Sequence, residues 1–115
     1  MPIKTSSAKA KGRNLQKWVR DLILSTFQDL ESDDVKSTSM GASGEDVQLS
    51  PAARRKFPYS VECKAHKSFA IYSILEQAKT NCPTNADPLV IIKADRQRPL
   101  AVVDAEHFFT LLGKQ

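Results

Sequence analysis

The sequence lacks the long apolar runs that insertion into a membrane requires. No run of about 18 apolar residues occurs in the chain, so no transmembrane helix is predicted. No apolar segment near the N-terminus has the pattern of a secretory signal peptide, and an intracellular location is therefore expected. Two cysteines are too few for a disulfide framework, and buried free thiols are expected instead.

The sequence also lacks the residue patterns of common cofactor sites. It has no Gly-x-x-x-x-Gly-Lys phosphate loop and no Gly-x-Gly-x-x-Gly turn, so no nucleotide cofactor is expected. The two cysteines and two histidines do not have the paired spacing of a zinc knuckle; they are Cys63, His66, Cys82 and His107. A hydrolase built on Cys63 and His66 is disfavoured too, because a nucleophilic thiolate must be exposed and alternation places Cys63 in the core.

What the sequence does have is a strong segregation of charge. Its 115 residues suit a single domain, and 41% hydrophobic with 26% charged residues is typical of a globular protein. Residues 1–20 carry six cations and no acid, residues 21–46 carry seven acids and one lysine, and residues 47–67 carry five cations and one acid. Two basic blocks around an acidic centre favour an enzyme that binds a nucleic acid and a cation. The alternative is that these charges form only a solvated surface.

Two stretches with the period of a half-buried strand carry acidic residues and a lysine. In residues 44–50, Asp46 points away from the apolar side chains, and in residues 59–64 Glu62 and Lys64 share the polar face, about 7 Å apart. Carboxylates on adjacent strands repel each other, and a divalent cation removes that repulsion. Oxygen ligands favour Mg²⁺, with Mn²⁺ as a substitute, and Lys64 can then orient or deprotonate an attacking water. The pattern predicts metal-assisted hydrolysis of phosphodiester bonds.

The same residues resemble a known nuclease motif. Asp46 followed by Glu62-Cys63-Lys64 is similar to the PD-(D/E)XK nuclease superfamily, although Gly-Glu-Asp replaces the Pro-Asp of its name. The resemblance implies an α/β fold of the restriction-endonuclease type, an αβββαβ core with one central mixed sheet flanked by helices. It also implies that Asp46 and Glu62 bind the metal with the carbonyl of Val61 or Cys63, and that Lys64 is catalytic.

A second resemblance concerns the first helix. Lys11-Gly12-x-x-x-Gln16 looks like the Lys-Gly-x-x-x-Glu opening of archaeal Holliday-junction resolvases, with Gln16 where that family has a glutamate. This resemblance implies that Gln16 lies near the site, and Gln77 looks like the polar residue that many members of the nuclease superfamily place after the (D/E)XK element. Both are expected to tune the metal environment or the DNA contact. The resemblance to the resolvases further implies a homodimer that acts on branched DNA. The alternative for Gln16 is an ordinary surface residue.

The remaining patterns predict the other elements of the chain. Residues 1–12 are expected to form a flexible basic arm, and residues 13–115 the nuclease domain. Periodicity and turn residues predict the following order: a helix over 13–30, a strand near 35–38, a projecting loop over 50–58, a helix capped by Ser68 and ending near Asn81, strands over 89–93 and 100–103, and a terminal helix capped by Asp104.

The expected nucleic-acid contacts are basic residues of the two blocks: Lys11, Arg13, Lys17, Arg54, Arg55, Lys56, His66 and Lys67. The three in the predicted loop are expected to contact phosphates rather than bases. Together these features predict a Mg²⁺-dependent endonuclease that cuts branched or structured DNA. Two alternatives stay open: a sequence-specific endonuclease of the homing or restriction type, and a catalytically inactive DNA-binding module with the same fold.

Overall fold

The first element is a long helix, α1, which spans Thr5–Thr26 in a computed structural model that describes residues 5–38 and 44–114. Its buried stripe, Leu15, Val19 and Ile23, repeats every four residues and packs on the core. Residues 1–12 were predicted to form a flexible arm, but residues 5–12 already belong to this helix. Residues 1–4 lie outside the described part of the chain. Alanine and lysine dominate residues 8–11, and their high helix propensity carries α1 past the predicted start.

A short antiparallel sheet follows α1. After a 3-10 helix at Ser32–Asp34, strand β1 (Val35–Ser37) pairs with β2 (Val47–Leu49), so that Val35 lies opposite Leu49 and Ser37 opposite Val47. Val35 and Val47 are fully buried and anchor the hairpin to α1.

The predicted projecting loop is wrong, because helix α2 occupies Pro51–Lys56. Pro51 stands at the first helical position, where its missing N–H and fixed φ are favourable rather than disruptive. The Ser50 side chain accepts a hydrogen bond from the Ala53 amide at 3.1 Å and so caps the helix. Ala53 is fully buried, which seats α2 against the core.

The second sheet contains strands β3 (Tyr59–Ala65), β4 (Asp87–Lys93) and β5 (Leu100–Val102) in that order. Strand β4 is parallel to β3 and antiparallel to β5, with helix α3 (Ile71–Thr80) as the crossover. The predicted α/β class is therefore confirmed, but in the described residues the strands form two small sheets rather than one central sheet. The terminal helix α4 (Ala105–Gly113) is capped by Asp104 as predicted, through the His107 amide at 3.1 Å.

Apolar side chains cover both faces of the second sheet. Val61 and Cys63 of β3 belong to a cluster with the buried stripe of α1, whereas Val90 and Ile92 of β4 pack with α3. This confirms the prediction that residues 89–93 form a strand covered on both faces. The Ser68 cap is wrong, since α3 begins at Ile71 after an Ala70 that provides no side-chain cap. None of the described helices is both long and apolar enough to cross a bilayer.

Candidate active site

Asp46 joins the hairpin to the free edge of β3. Its carboxylate oxygen Oδ2 accepts a hydrogen bond from the Cys63 amide at 2.6 Å. Its own amide donates to the Val61 carbonyl at 3.0 Å, and its carbonyl accepts from the Thr38 amide at 2.9 Å. Three bonds thus fix both the backbone and the side chain of Asp46, and Oδ1 is the oxygen left to bind a ligand.

Glu62 and Lys64 lie on the face of β3 that is turned toward α3. They pair in register with Val90 and Ile92 of β4, whose side chains pack with α3. The Glu62 side chain is only 9% exposed, and its Oε1 lies 3.5 Å from Nζ of Lys64, which is 28% exposed. The sequence predicted the shared face of these two residues, but it did not predict that this face is also covered.

Burial raises the pKa of both carboxyl groups. For Asp46 this effect is opposed by the Cys63 amide and by the charge of Lys64. For Glu62, burial and then the charge of Asp46 raise the pKa, while Lys64 and the Asn81 amide oppose the rise. Each ionised carboxylate therefore costs free energy in the folded chain, and a bound cation would offset that cost.

Cys63 can contribute its backbone carbonyl to a metal site, but not its thiol. The thiol is buried against α1, and its pKa is raised by burial and by the charges of Asp46 and Glu62, so it remains protonated. In a strand, the N–H and C=O of one residue point to the same edge. Because the Cys63 amide points at Asp46, its carbonyl faces the same edge, whereas the Val61 carbonyl already accepts the Asp46 amide.

Gln16 is buried, with 5% of its surface exposed, so the alternative of a surface residue is wrong. Its carbonyl oxygen Oε1 is inaccessible to water and has no hydrogen-bond partner among the described residues. An unpaired buried oxygen is costly, so Oε1 is an acceptor that a water or a cation could satisfy. Helix α1 packs on β1, β2 and β3, the strands that surround Asp46.

Gln77 is exposed on α3, and the structure gives it no hydrogen bond to Asp46, Glu62 or Lys64 among the described residues. Asn81, at the C-terminal end of α3, is the residue of this helix that influences Glu62. Sequence reasoning missed Asn81, because its only signal is a polar residue one turn after Gln77.

Arg54 was predicted to contact phosphates from the surface, but its side chain does not face solvent. Its Nη2 contacts both carboxylate oxygens of Glu45 at 2.6 Å, and its Nη1 donates to the Tyr59 carbonyl at 2.7 Å. With side-chain exposures of 11% for Arg54 and 18% for Glu45, this is a largely buried ion pair. Its guanidinium is used inside the protein and is not available as a phosphate contact. The pair instead holds the residue next to Asp46.

The other predicted DNA contacts remain at the surface. Arg13, Lys17, Arg55 and Lys67 are exposed, and exposed His66 follows the end of β3. Two further lysines form surface ion pairs, Lys56 with Asp29 at 3.1 Å and Lys11 with Asp95 at 2.8 Å. The structure thus separates Arg54 from the rest of the predicted set.

The described residues contain no group of three or more His, Cys, Asp or Glu side chains arranged to hold a metal ion. A bound ion would therefore depend on the two carboxylates together with neutral oxygens and water. No family model, curated protein or solved structure matches the chain, so the candidate function rests on its own residues.

Proposed function

We propose that the chain is an endonuclease that hydrolyses phosphodiester bonds in DNA with Mg²⁺, for which Mn²⁺ can substitute. The observation that carries the proposal is the convergence of Asp46, Glu62 and Lys64 at one strand. Two carboxylates whose pKa values are raised by burial lie beside one ammonium group. Such a set favours a cation and a phosphate over an empty site.

The residues present fit Mg²⁺ better than a softer metal. Mg²⁺ is commonly bound by one or two carboxylates and keeps several waters, so a site without a third acidic side chain is compatible with it. Asp46 Oδ1, Glu62 and the Cys63 carbonyl are the ligands proposed here. The buried Oε1 of Gln16 is a further neutral oxygen, on the helix that packs on β1, β2 and β3. When bound, the ion would polarise the phosphate and acidify a bound water.

Lys64 positions the reacting groups in this proposal. Its ammonium is held near Glu62 and is partly exposed, so it can donate a hydrogen bond to the attacking water or to a phosphate oxygen. The Cys63 amide holds Asp46 through Oδ2, and this bond keeps the carboxylate from rotating away. The ion pair of Glu45 with Arg54 holds the residue that precedes Asp46.

The proposed substrate is branched or otherwise structured DNA, bound by a homodimer. Exposed cations supply sequence-independent phosphate contacts. The dimer has an apolar surface available, because each residue of α4 keeps part of its surface exposed and Phe109 is 70% exposed. A second copy of the chain that covers α4 would remove this surface from water.

Two observations favour a second candidate function, a DNA-binding module without cleavage. Gln16 is neutral where the resembled resolvases have a glutamate, and the described residues hold no three-residue metal cluster. Such a module would bind branched DNA equally well with and without Mg²⁺ and would leave it intact.

The test is cleavage of a labelled four-way junction and of a matched linear duplex in Mg²⁺. We expect the native chain to cut the junction, and Lys64→Ala to lose at least 100-fold in rate, roughly the loss typical for a group that acts on the transition state. Lys36→Ala, which removes one exposed strand lysine elsewhere, is the matched control. Binding without cleavage of either DNA would refute the nuclease in favour of the binding module. Cutting of one linear site alone would indicate a sequence-specific enzyme.

A further inference from the structure

A cleft opens between α1 and the residues that follow β4. Its volume is about 620 Å³, and its walls include Trp18 of α1 and Lys93, Asp95 and Arg96. This volume lies within the range of sites that hold small molecules. The lining includes neither Asp46, Glu62 nor Lys64, so the cleft is distinct from the carboxylate pair.

Trp18 is an unusual residue to find at this position. It is the single tryptophan of the chain and 44% of its surface is exposed, although the core of the same helix lies one residue away at Val19. An accessible indole ring among cations is the arrangement on which nucleic-acid bases stack. Its position on α1 therefore favours a flat heteroaromatic ligand over an aliphatic one.

The charges of the cleft favour an anion. Lys11 is paired with Asp95 at 2.8 Å, and this hydrogen bond lowers the pKa of Asp95. The pair is neutral overall, which leaves Lys93 and Arg96 as the excess positive charge of the lining. A phosphate between these two side chains would accept charge-assisted hydrogen bonds from both of them.

The backbone of Arg96 supports a binding role. Its φ angle is 60°, in the left-handed region that glycine adopts freely and that a long side chain adopts at a cost. This conformation forms the turn after β4 that places Arg96 in the cleft lining. Strained residues of this kind cluster where a ligand is held.

We propose that this cleft binds one unstacked nucleotide, with the base on Trp18 and its phosphate between Lys93 and Arg96. Asp95, already oriented by Lys11, can accept a hydrogen bond from an amino group of the base. This binding site is additional to the proposed cleavage reaction, and binding at it needs no metal ion. Two sources share this chemistry, an unpaired nucleotide of single-stranded DNA and a free mononucleotide. A base within a duplex is excluded because its faces are already stacked.

The test uses the intrinsic fluorescence of Trp18, which no other tryptophan obscures. The full chain is titrated in EDTA with a short deoxyadenosine oligonucleotide, with deoxyadenosine monophosphate and with a blunt duplex. If the ligand is an unpaired nucleotide of single-stranded DNA, we expect saturable quenching by the oligonucleotide; if it is a free mononucleotide, we expect saturable quenching by deoxyadenosine monophosphate. In either case the duplex should quench much more weakly. Because each phosphate neutralised on a single strand contributes about −0.7 to the slope of log affinity against log salt, the oligonucleotide should show about −0.7 from the one phosphate between Lys93 and Arg96.

The variants separate the cleft from general charge. Arg96→Ala removes one of the two cations on this phosphate, so it should weaken binding about tenfold, as the loss of one charge-assisted hydrogen bond does, and make the salt slope shallower. Lys36→Ala removes the same charge on β1, outside the cleft, and should change affinity less than twofold. Equal effects of the two variants, absence of quenching, or equal quenching by the duplex would each overturn the proposal. Since no step depends on Mg²⁺, the result is independent of whether the chain cleaves DNA.

Discussion

Two adjacent arginines, Arg54 and Arg55, have opposite roles that a pair of substitutions can separate. Both stand in the basic block of α2, and composition alone assigns both to DNA. In the structure the Arg54 side chain is 11% exposed and its guanidinium is bound to Glu45 and Tyr59, whereas Arg55 is exposed. We expect Arg54→Ala to destabilise the fold and Arg55→Ala to weaken DNA binding without doing so.

The magnitude follows from the contacts that are lost. Arg54→Ala removes two contacts to the Glu45 carboxylate at 2.6 Å and one to the Tyr59 carbonyl at 2.7 Å. Breaking a buried pair by removing one partner costs about 3 to 5 kcal/mol, because the other charge is left unpaired. Since both side chains of this pair retain a little exposure, we expect about 3 kcal/mol. For a domain of this size the midpoint of thermal unfolding should fall by roughly 12 °C.

The assay is urea unfolding followed by circular dichroism, with both variants and the native chain in the same buffer. Arg55→Ala should stay within about 0.5 kcal/mol of the native chain, as is usual for an exposed substitution. The loss in Arg54→Ala should persist in 0.5 M NaCl, because a buried pair is weakly screened. A loss below about 1 kcal/mol in Arg54→Ala, or equal losses in both variants, would show that the pair with Glu45 does not stabilise the fold.

Two further predictions concern pH and the terminal helix. Burial raises the pKa of Glu62, so the ionised form costs stability above the raised pKa and this cost disappears as the pH falls through it. Glu62→Gln should therefore melt higher than the native chain at pH 8 and no higher in acid, and an unchanged difference across this range would contradict the burial argument. Tyr59→Phe removes the hydroxyl that lies 2.8 Å from Nε2 of His107. It should cost about 1 kcal/mol and speed amide exchange in α4, whereas unchanged exchange would show that the bond does not hold that helix.

Patterns that depend on neighbouring residues predicted most of the elements. The first helix, the strand over residues 89–93 and the Asp104 cap all appear in the structure. Pro51 misled the prediction of a loop, since proline breaks a helix interior but favours its first turn.

These patterns could not predict contacts between residues that are distant in the sequence. Glu45 lies nine positions before Arg54 in the chain, and Asp46 lies seventeen positions before Cys63. Alternation placed Asp46, Glu62 and Lys64 on polar faces, which suggested the candidate site. It did not indicate that the strands of the described residues divide into two sheets, because strand pairing depends on contacts between distant residues.

Asp46 fastens the hairpin sheet to β3 through its own amide and carboxylate. The residue proposed to bind the ion thus also links the two sheets. Ion binding and attachment of the hairpin to β3 are then thermodynamically linked. An ion that binds only the attached form shifts the chain further toward that form as the ion concentration rises. The amides of β1 and β2 should therefore become harder to exchange together as Mg²⁺ is added, well before any DNA is present.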